Sequence, residues 1–441
     1  MGASRAACRA IATMTRGARM QLSRRELMRS VGGGTLALGV GRLAVGGSAA
    51  TSAAAAFDVD AVRADFPRAA KNLWLAAAET HPFSVHTLRA LEEYAEYRAL
   101  GSGDGRHSFT AEQQAETKRL FGQLINATPE EVAFVMSTTD GENVVVAGLD
   151  LAARGGNVVI DDLHFSASRY LYTALADAGK IELRVVPHRD WKIDLADMER
   201  VIDRETRLVS MALVSNINGY MHDARAISDL AHAHGAYVYA DIIQAAGNTP
   251  LDVRAMGIDC AASSTYKWLM GDFGLGFLYV RDDLQGDVVK QTRYGLRAVA
   301  QRDGQFVPRP GAAMYEGTTT MPYLPAICAF EGLKYVTKLG VENIRAHAEP
   351  LVARLQREMP GLGYPSITPP GTATPITSFV TPDPNATQAK LDRAFPERVV
   401  SGGRWRKTDA AGTVEQVRGL RIGVSVYNND ADVDAFLNAL D

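Results

Sequence analysis

The chain has 441 residues, 46% of them hydrophobic and 22% charged, an ordinary globular composition long enough for one large domain and one smaller one. Its 47 Lys and Arg against 50 Asp and Glu leave a formal charge of −3, so there is no electrostatic footprint for nucleic acid and a small-molecule site is expected. Cys8, Cys260 and Cys328 do not make a disulfide framework, and the nine histidines show no metal-ligand spacing.

Residues 1–56 read as a targeting segment rather than as part of the fold. Arg5, Arg9, Arg16, Arg19, Arg24 and Arg25 all precede the first acid, Glu26, and a weakly apolar Gly/Ala/Leu/Val stretch follows over 31–56. Within it, Ser23-Arg24-Arg25-Glu26-Leu27-Met28-Arg29 resembles a twin-arginine export signal, and Ala54-x-Ala56 offers a cleavage site. That resemblance implies the twin-arginine export machinery as a partner and a periplasmic or secreted mature chain. An Arg-rich organellar transit peptide is the competing reading. The apolar stretch is interrupted by Arg42 and lacks the roughly 20 consecutive apolar residues that spanning requires, so no stable membrane anchor is expected.

From Asp58 onward short β-rich runs alternate with helical periods. The pattern predicts a helix over 110–127, a strand over 131–136, a helix over 141–153, a strand over 157–160 and a helix over 166–178. Strands are then predicted over 181–187, 208–214, 236–240 and 275–280, with a helix over 224–234 between the middle two. Such alternation predicts an α/β fold, and near-continuous apolar runs such as 208–214 suit strands covered on both faces. After Met321 two helical stretches, 326–338 and 341–359, precede a Pro/Gly/Thr-rich segment over 360–375 and a strand-rich tail. The expected organisation is a leader over 1–56, a large domain over 57–320 and a smaller C-terminal α+β domain over 321–441.

In open α/β sheets ligands bind where the carboxyl ends of strands feed helix N-termini, and several chemistry-bearing residues fall at such places. Ser137-Thr138-Thr139-Asp140-Gly141-Glu142-Asn143 opens a helix after a strand, so its amides and hydroxyls can hold a phosphate or simply cap the helix. Asp241 follows a strand and suits pairing with a protonated pyridine nitrogen, or a plain strand-end turn. Gln244 lies within reach of the same ring's phenolic oxygen. Phe165, after His164, offers a ring to stack on an aromatic cofactor, or a core side chain. Lys267, in Ser263-Ser264-Thr265-Tyr266-Lys267 before a Gly-rich apolar run, suggests a Schiff base to pyridoxal phosphate.

These motifs occur in an order that resembles the class V aminotransferases of pyridoxal phosphate fold type I. The residues that carry the resemblance are Thr138-Thr139-Asp140-Gly141-Glu142-Asn143, Val214-Ser215-Asn216, His234-Gly235-Ala236-x-Val238-x-x-Asp241-x-x-Gln244, Ser264-x-x-Lys267 and Gly274-x-Gly276. It extends from about residue 59 to the C-terminus and is nearest the cysteine desulfurase and isopenicillin N epimerase branch. The resemblance implies a mainly parallel sheet between helices, with pyridoxal 5'-phosphate held by Lys267, Thr138, Thr139, Phe165, Asp241, Gln244, Ser264 and Tyr266. His164 is the fallback for ring stacking. Tyr315-Glu316-Gly317-Thr318 resembles the segment whose threonine reaches the phosphate of a neighbouring subunit, which implies a homodimer with shared sites and a role for Thr318. Gly419-Leu420-Arg421-Ile422-Gly423 resembles the strand whose arginine binds a substrate carboxylate, so Arg421, with Asn216, is the expected substrate contact. An export route for folded proteins suits an enzyme that acquires its cofactor before crossing a membrane.

Two departures narrow the chemistry. A cysteine desulfurase needs a thiolate shortly before the carboxylate-binding arginine, and no cysteine lies between Cys328 and Asp441. Where the epimerase-like branch often carries Gly-Thr-Arg-Asp, this chain has Gly317-Thr318-Thr319-Thr320. The first expectation is therefore an aminotransferase-type enzyme acting on an amino-acid-like or peptidic amine. An epimerase-like racemase or a carbon–sulfur lyase is the alternative among enzymes, and a non-catalytic binding protein on the same fold is the alternative outside them. Tyr266, His164 and Tyr427 are the candidates for a second acid or base.

Overall fold

A computed structural model describes residues 57–101, 109–408 and 414–441. The twin-arginine motif and its cleavage site lie outside the described residues.

Seven strands form the central sheet: β1 (Val132–Val135), β2 (Asn157–Asp161), β3 (Glu182–Val186), β4 (Thr206–Ala212), β5 (Tyr237–Asp241), β6 (Cys260–Ser264) and β7 (Gly276–Val280). Their spatial order is β1-β7-β6-β5-β4-β2-β3. The run from β6 through β5, β4 and β2 to β3 is parallel, and only β7 runs against its neighbours β1 and β6. The mainly parallel α/β architecture thus matches the sequence expectation.

Two-sided burial explains why the strands read as apolar runs. Successive side chains point to opposite faces, and in β7 Phe277 and Tyr279 join one hydrophobic cluster while Leu278 and Val280 join another. On the first face the helix Ala111–Ile125 packs Phe121 against Phe277, rings stacked with centroids 4.2 Å apart. On the second face the helices Thr138–Gly148 and Ser166–Asp177 bring Val144, Val145 and Tyr172 onto the sheet. The outer strand β3 is half exposed and carries Arg184, ion-paired to Glu182 and Asp203, a charged finish suited to an open edge.

A hairpin of β8 (Val299–Arg302) and β9 (Gln305–Pro308) turns through Asp303 and Gly304, both at positive φ. A three-stranded antiparallel sheet follows, ordered β10 (Ile376–Val380), β12 (Val414–Gly423) and β11 (Ser401–Thr408). The helices Val341–Glu358, Pro384–Ala394 and Asp430–Leu440 cover it with Leu351, Leu355, Leu391, Val433 and Phe436. The N-terminal segment reaches this sheet as well, because Leu75 donates to Val399 and accepts from Gly423, both at 2.7 Å.

Three details differ from the sequence expectation. The helix expected over 141–153 starts earlier, at Thr138, because Ser137 Oγ accepts the Asp140 amide at 3.0 Å, and it breaks at Asp150, whose φ is 57°. Strand β6 has the sequence Cys-Ala-Ala-Ser-Ser, which lacks the branched and aromatic residues that advertise a strand, yet all five residues are buried. The helix Val85–Leu100, capped by Ser84, has no counterpart among the elements predicted above. Among the described residues no helix is long and apolar enough to cross a membrane.

Candidate active site

The topology gathers the carboxyl ends of four strands at one edge of the sheet. β1 and β6 both pair antiparallel to β7, with Val135 and Ser264 each opposite Gly276, so their ends emerge side by side. β4 and β5 end level, with Ala212 opposite Asp241. A cleft with about 480 Å³ of open space lies there, lined by Ser137, Thr138, Thr139, Phe165, Asn216 and Asp241, together with Ala212, Val214, Ile243, Gln244, Ser264, Tyr266 and Lys267.

At one end the helix start and β6 are locked together. The Thr138 amide donates to Ser264 Oγ at 2.8 Å, the Ser264 amide donates to Thr138 Oγ1 at 2.8 Å, and the two hydroxyls lie 3.1 Å apart. Glycine is required beside them, because a Cβ on Gly276 would stand 2.9 Å from Ser263 O and 3.2 Å from the Ser137 carbonyl carbon. Ser137 takes the Asp140 amide, and the amide of Thr139 has no acceptor among the described residues at the positive end of an 11-residue helix. This corner is built to accept an anion.

Asp241 stands at the middle of the cleft. It is 3% exposed, and burial raises its pKa to about 6, opposed by the Ile243 amide that donates to Oδ1 at 2.9 Å and by the charge of Lys267. Gln244 is fixed at both ends of its amide: Nε2 donates to Ala78 O at 3.0 Å and Oε1 accepts from Trp268 Nε1 at 2.8 Å. One Nε2 hydrogen remains for a ligand.

Phe165 and His164 part company. Phe165 lines the cleft and is 36% exposed, whereas His164 is buried and bonded through both ring nitrogens. The Phe165 amide donates to Nδ1 at 2.8 Å, so Nε2 carries the hydrogen toward Ser210 Oγ, 2.9 Å away. Ser210 donates on to Glu142, a buried carboxyl that also accepts from Ser168 and Tyr172 and whose pKa burial pushes up to about 7. Burial lowers the His164 pKa to about 4, so the ring is a neutral strut beneath Phe165 and neither stacks in the cleft nor serves as an acid.

Lys267 closes the cleft opposite. It is 7% exposed, and burial brings its pKa down to about 7, helped by Arg421 and opposed by Asp241 and Glu79. Near neutral pH a large fraction of its amine is uncharged, the form able to attack a carbonyl or take a proton. Tyr266 sits beside it, its ring 5.6 Å from Lys267 Nζ and stacked on Phe273. Arg421, on β12, donates through Nη1 to Asn216 O at 2.9 Å and through Nε to Ser401 Oγ at 3.0 Å. The second sheet thereby delivers its arginine to the rim of the first.

Other expected residues fall elsewhere. Tyr427 is fully buried among Phe66 and His81, away from the cleft, and is no acid for it. Thr318 is exposed and lines a separate hollow with Asp140, Arg293 and Arg297, not the cleft of its own chain. Arg293 pairs with Asp140, and Arg297 pairs with Glu316 at 2.6 Å, so both are committed within the chain. Glu79, Trp268 and Ser210 lie in no motif of the sequence, and Glu142 lies in one without any sign of its buried partners; the one signal was a lone charge at Glu79 after the apolar run 73–78.

A buried lysine after one strand, a carboxylate at the end of the neighbouring strand of a mainly parallel sheet and an anion corner at a helix start define a cleft for a phosphorylated aromatic aldehyde bound through an amine. Asn216 Oδ1 fits that occupant, being buried without a donor among the described residues. The sequence profile of the family described as aminotransferase class-V matches residues 73–436, and the chain belongs to that family. A probable cysteine desulfurase of Methanothermobacter thermautotrophicus is 29% identical over 303 residues, covering 67% of this chain and 74% of the relative. A cysteine desulfurase of Shigella sonnei is 30% identical over 311 residues, covering 67% and 76%. An uncharacterized aminotransferase of Bacillus subtilis (strain 168) is 28% identical over 288 residues, covering 65% and 75%. Among solved structures, the apo cysteine desulfurase of Thermococcus onnurineus NA1 superposes with a TM-score of 0.74 at 23% identity, covering 86% of this chain and 96% of that one. A cystine C–S lyase in complex with cysteine persulfide superposes with a TM-score of 0.71 at 20% identity, covering 85% and 98%.

The protein is a pyridoxal phosphate-dependent enzyme, a transferase or a lyase. When bound, the cofactor supplies an electron-withdrawing ring that makes the carbon beside a substrate amine acidic. With that group bound, Thr138, Thr139 and Ser264 would offer hydroxyls and the Thr139 amide to its phosphate, and Asp241 would be the group to keep its ring nitrogen protonated. Phe165 would offer its face to the ring, and Lys267 would be the base that takes the proton and returns it.

Proposed function

We propose that this chain is an exported enzyme acting on the amino group of an amino-acid-like or peptidic substrate, as an aminotransferase-type tailoring enzyme of a secreted metabolite. One observation carries the reading: the buried Lys267, its pKa brought to about 7, shares a cleft with Asp241, and Arg421 is poised at the rim. Residues 57–320 carry the cofactor, 321–441 bring the carboxylate-binding Arg421, and two copies pair so that the exposed Thr318 of one completes the phosphate site of the other. The twin-arginine pattern Ser23–Arg29 supports export of the loaded enzyme to the periplasm or beyond.

A carbon–sulfur lyase is the second reading, favoured by the names of the relatives. Desulfurase chemistry through a protein persulfide is disfavoured by the thiols. Cys260 and Cys328 are both buried, and burial pushes the Cys328 thiol up to about 12. Incubating the loaded enzyme with amines, then with a keto acid, distinguishes the readings. Conversion of the bound cofactor to its amine form and recovery by the keto acid supports transfer; release of pyruvate, ammonia and cysteine persulfide from cystine without that conversion supports the lyase.

A further inference from the structure

Residues 75–81 run between the two substrate-facing elements of the cleft. On one side Gln244 Nε2 donates to Ala78 O and the His81 amide donates to Tyr266 O, each at 3.0 Å. On the other, Ala76 bridges to Gly423 on the strand that carries Arg421, and a Cβ on Gly423 would stand 2.6 Å from the Ala78 amide. Glu79 therefore projects from a turn pinned beside both Lys267 and Arg421, and its charge is felt by both and by Tyr266.

The Glu79 carboxylate is only half satisfied. Oε1 accepts from Arg398 Nη2 at 2.7 Å, while Oε2, on a side chain that is 36% exposed overall, is itself buried with no donor among the described residues, where no ion pair joins it to Lys267 or Arg421. A carboxylate oxygen shut away from water without a donor is costly, and a donor brought by a ligand removes the cost. Glu79 also opposes the charge of Arg421, so a substrate with a single carboxylate meets a cation already partly neutralised, whereas one that also carries a cation suits both groups.

We propose that Glu79 is a specificity-determining residue whose Oε2 receives a second cationic nitrogen of the substrate, so that the enzyme selects diamino acids or diamines over monoamines of the same length. This rests on the amine-converting function proposed above.

The test uses the full, cofactor-loaded enzyme and the isosteric pairs L-ornithine with L-norleucine and L-lysine with L-2-aminoheptanoate, followed through the change in cofactor absorbance on mixing. The wild type is expected to bind each diamino acid about tenfold or more tighter than its partner, a charge-assisted hydrogen bond's worth. Glu79→Gln keeps the side chain's shape and is expected to abolish that ratio while still responding to norleucine and 2-aminoheptanoate. Arg398→Ala leaves the carboxylate in place and is expected to retain the ratio. A wild type without the preference, or a Glu79→Gln enzyme that keeps it, would overturn the inference alone. A loaded enzyme silent to every amine would overturn the proposed function, and this inference with it.

Discussion

Thr138 and Ser264, 126 residues apart, exchange hydrogen bonds in both directions: each one's backbone amide donates to the other's hydroxyl at 2.8 Å. A helix start and a strand end thus hold each other in the place where an anion binds. Ser264→Ala leaves the Thr138 amide without its acceptor and removes one hydroxyl from the anion corner, while the backbone amide at 264 still holds the Thr138 hydroxyl. A loss of about 1–3 kcal/mol is expected, read as roughly ten- to a hundredfold weaker cofactor retention in spectrophotometric titration with pyridoxal phosphate. Ser264→Thr, which restores the hydroxyl, recovers part of it.

Asp241 and Lys267 give the cofactor-free protein an unusual pH dependence. Burial raises Asp241 to about 6, so below that pH the folded state holds a proton the unfolded chain releases, and stability falls as pH rises from the usual aspartate range through 6. Burial lowers Lys267 to about 7, so there the unfolded chain holds the extra proton, and stability rises as pH climbs from 7 toward the usual lysine range. Both groups are charged and buried between pH 6 and 7, where their combined contribution is least favourable. Thermal melts of the cofactor-free protein should show a trough there, shallower in Asp241→Asn by on the order of 3 kcal/mol. A flat profile in both proteins would contradict this account of the pair.

Arg421 tests the carboxylate site. Nε and Nη1 are tied to Ser401 and Asn216, which orients the planar head and leaves Nη2 without a partner among the described residues. Arg421→Lys keeps the charge but loses the fork, so KM for a carboxylate-bearing amine should rise roughly ten- to a hundredfold. The corresponding amine without a carboxylate should be little affected. An equal loss on both would assign Arg421 to holding the second sheet against Asn216 instead.

Most of the cleft was legible in the sequence because its residues sit at strand ends. Asp241, Ser264 and Ala212 are the last residues of their strands, and the period of two that buries their neighbours fixes which side chains reach the rim. Asn216, Tyr266 and Lys267 follow such ends within four residues and line the same cleft. The choice between His164 and Phe165 was not legible. Adjacent side chains diverge, and only the Ser210–Glu142 network, assembled from three separate segments, draws the histidine inward. Glu79 was hidden for a similar reason: its importance comes from Gly423 and Gln244, which the chain supplies hundreds of residues later. Strand β6 was muted by its small residues, since Gly141 packs so closely on it that an added Cβ would stand 2.8 Å from Ala262.

The export reading has its own test. With Arg24 and Arg25 both replaced by lysine, the full chain should accumulate in the cytoplasm, measured by fractionation and immunoblotting of the producing cell. Undiminished export of the double variant would count against the twin-arginine route.

The central claim is that Lys267 binds pyridoxal phosphate covalently in the cleft it shares with Asp241. The measurement is the visible absorption spectrum of the purified protein after incubation with pyridoxal phosphate and removal of the excess, for the wild type and for Lys267→Ala. The account predicts a cofactor band in the wild type that survives gel filtration, shifts on borohydride reduction to a form that stays with the protein after denaturation, and is absent as a covalent adduct in Lys267→Ala. A wild type that takes up no cofactor, or a Lys267→Ala protein that still retains it covalently after reduction, would contradict it.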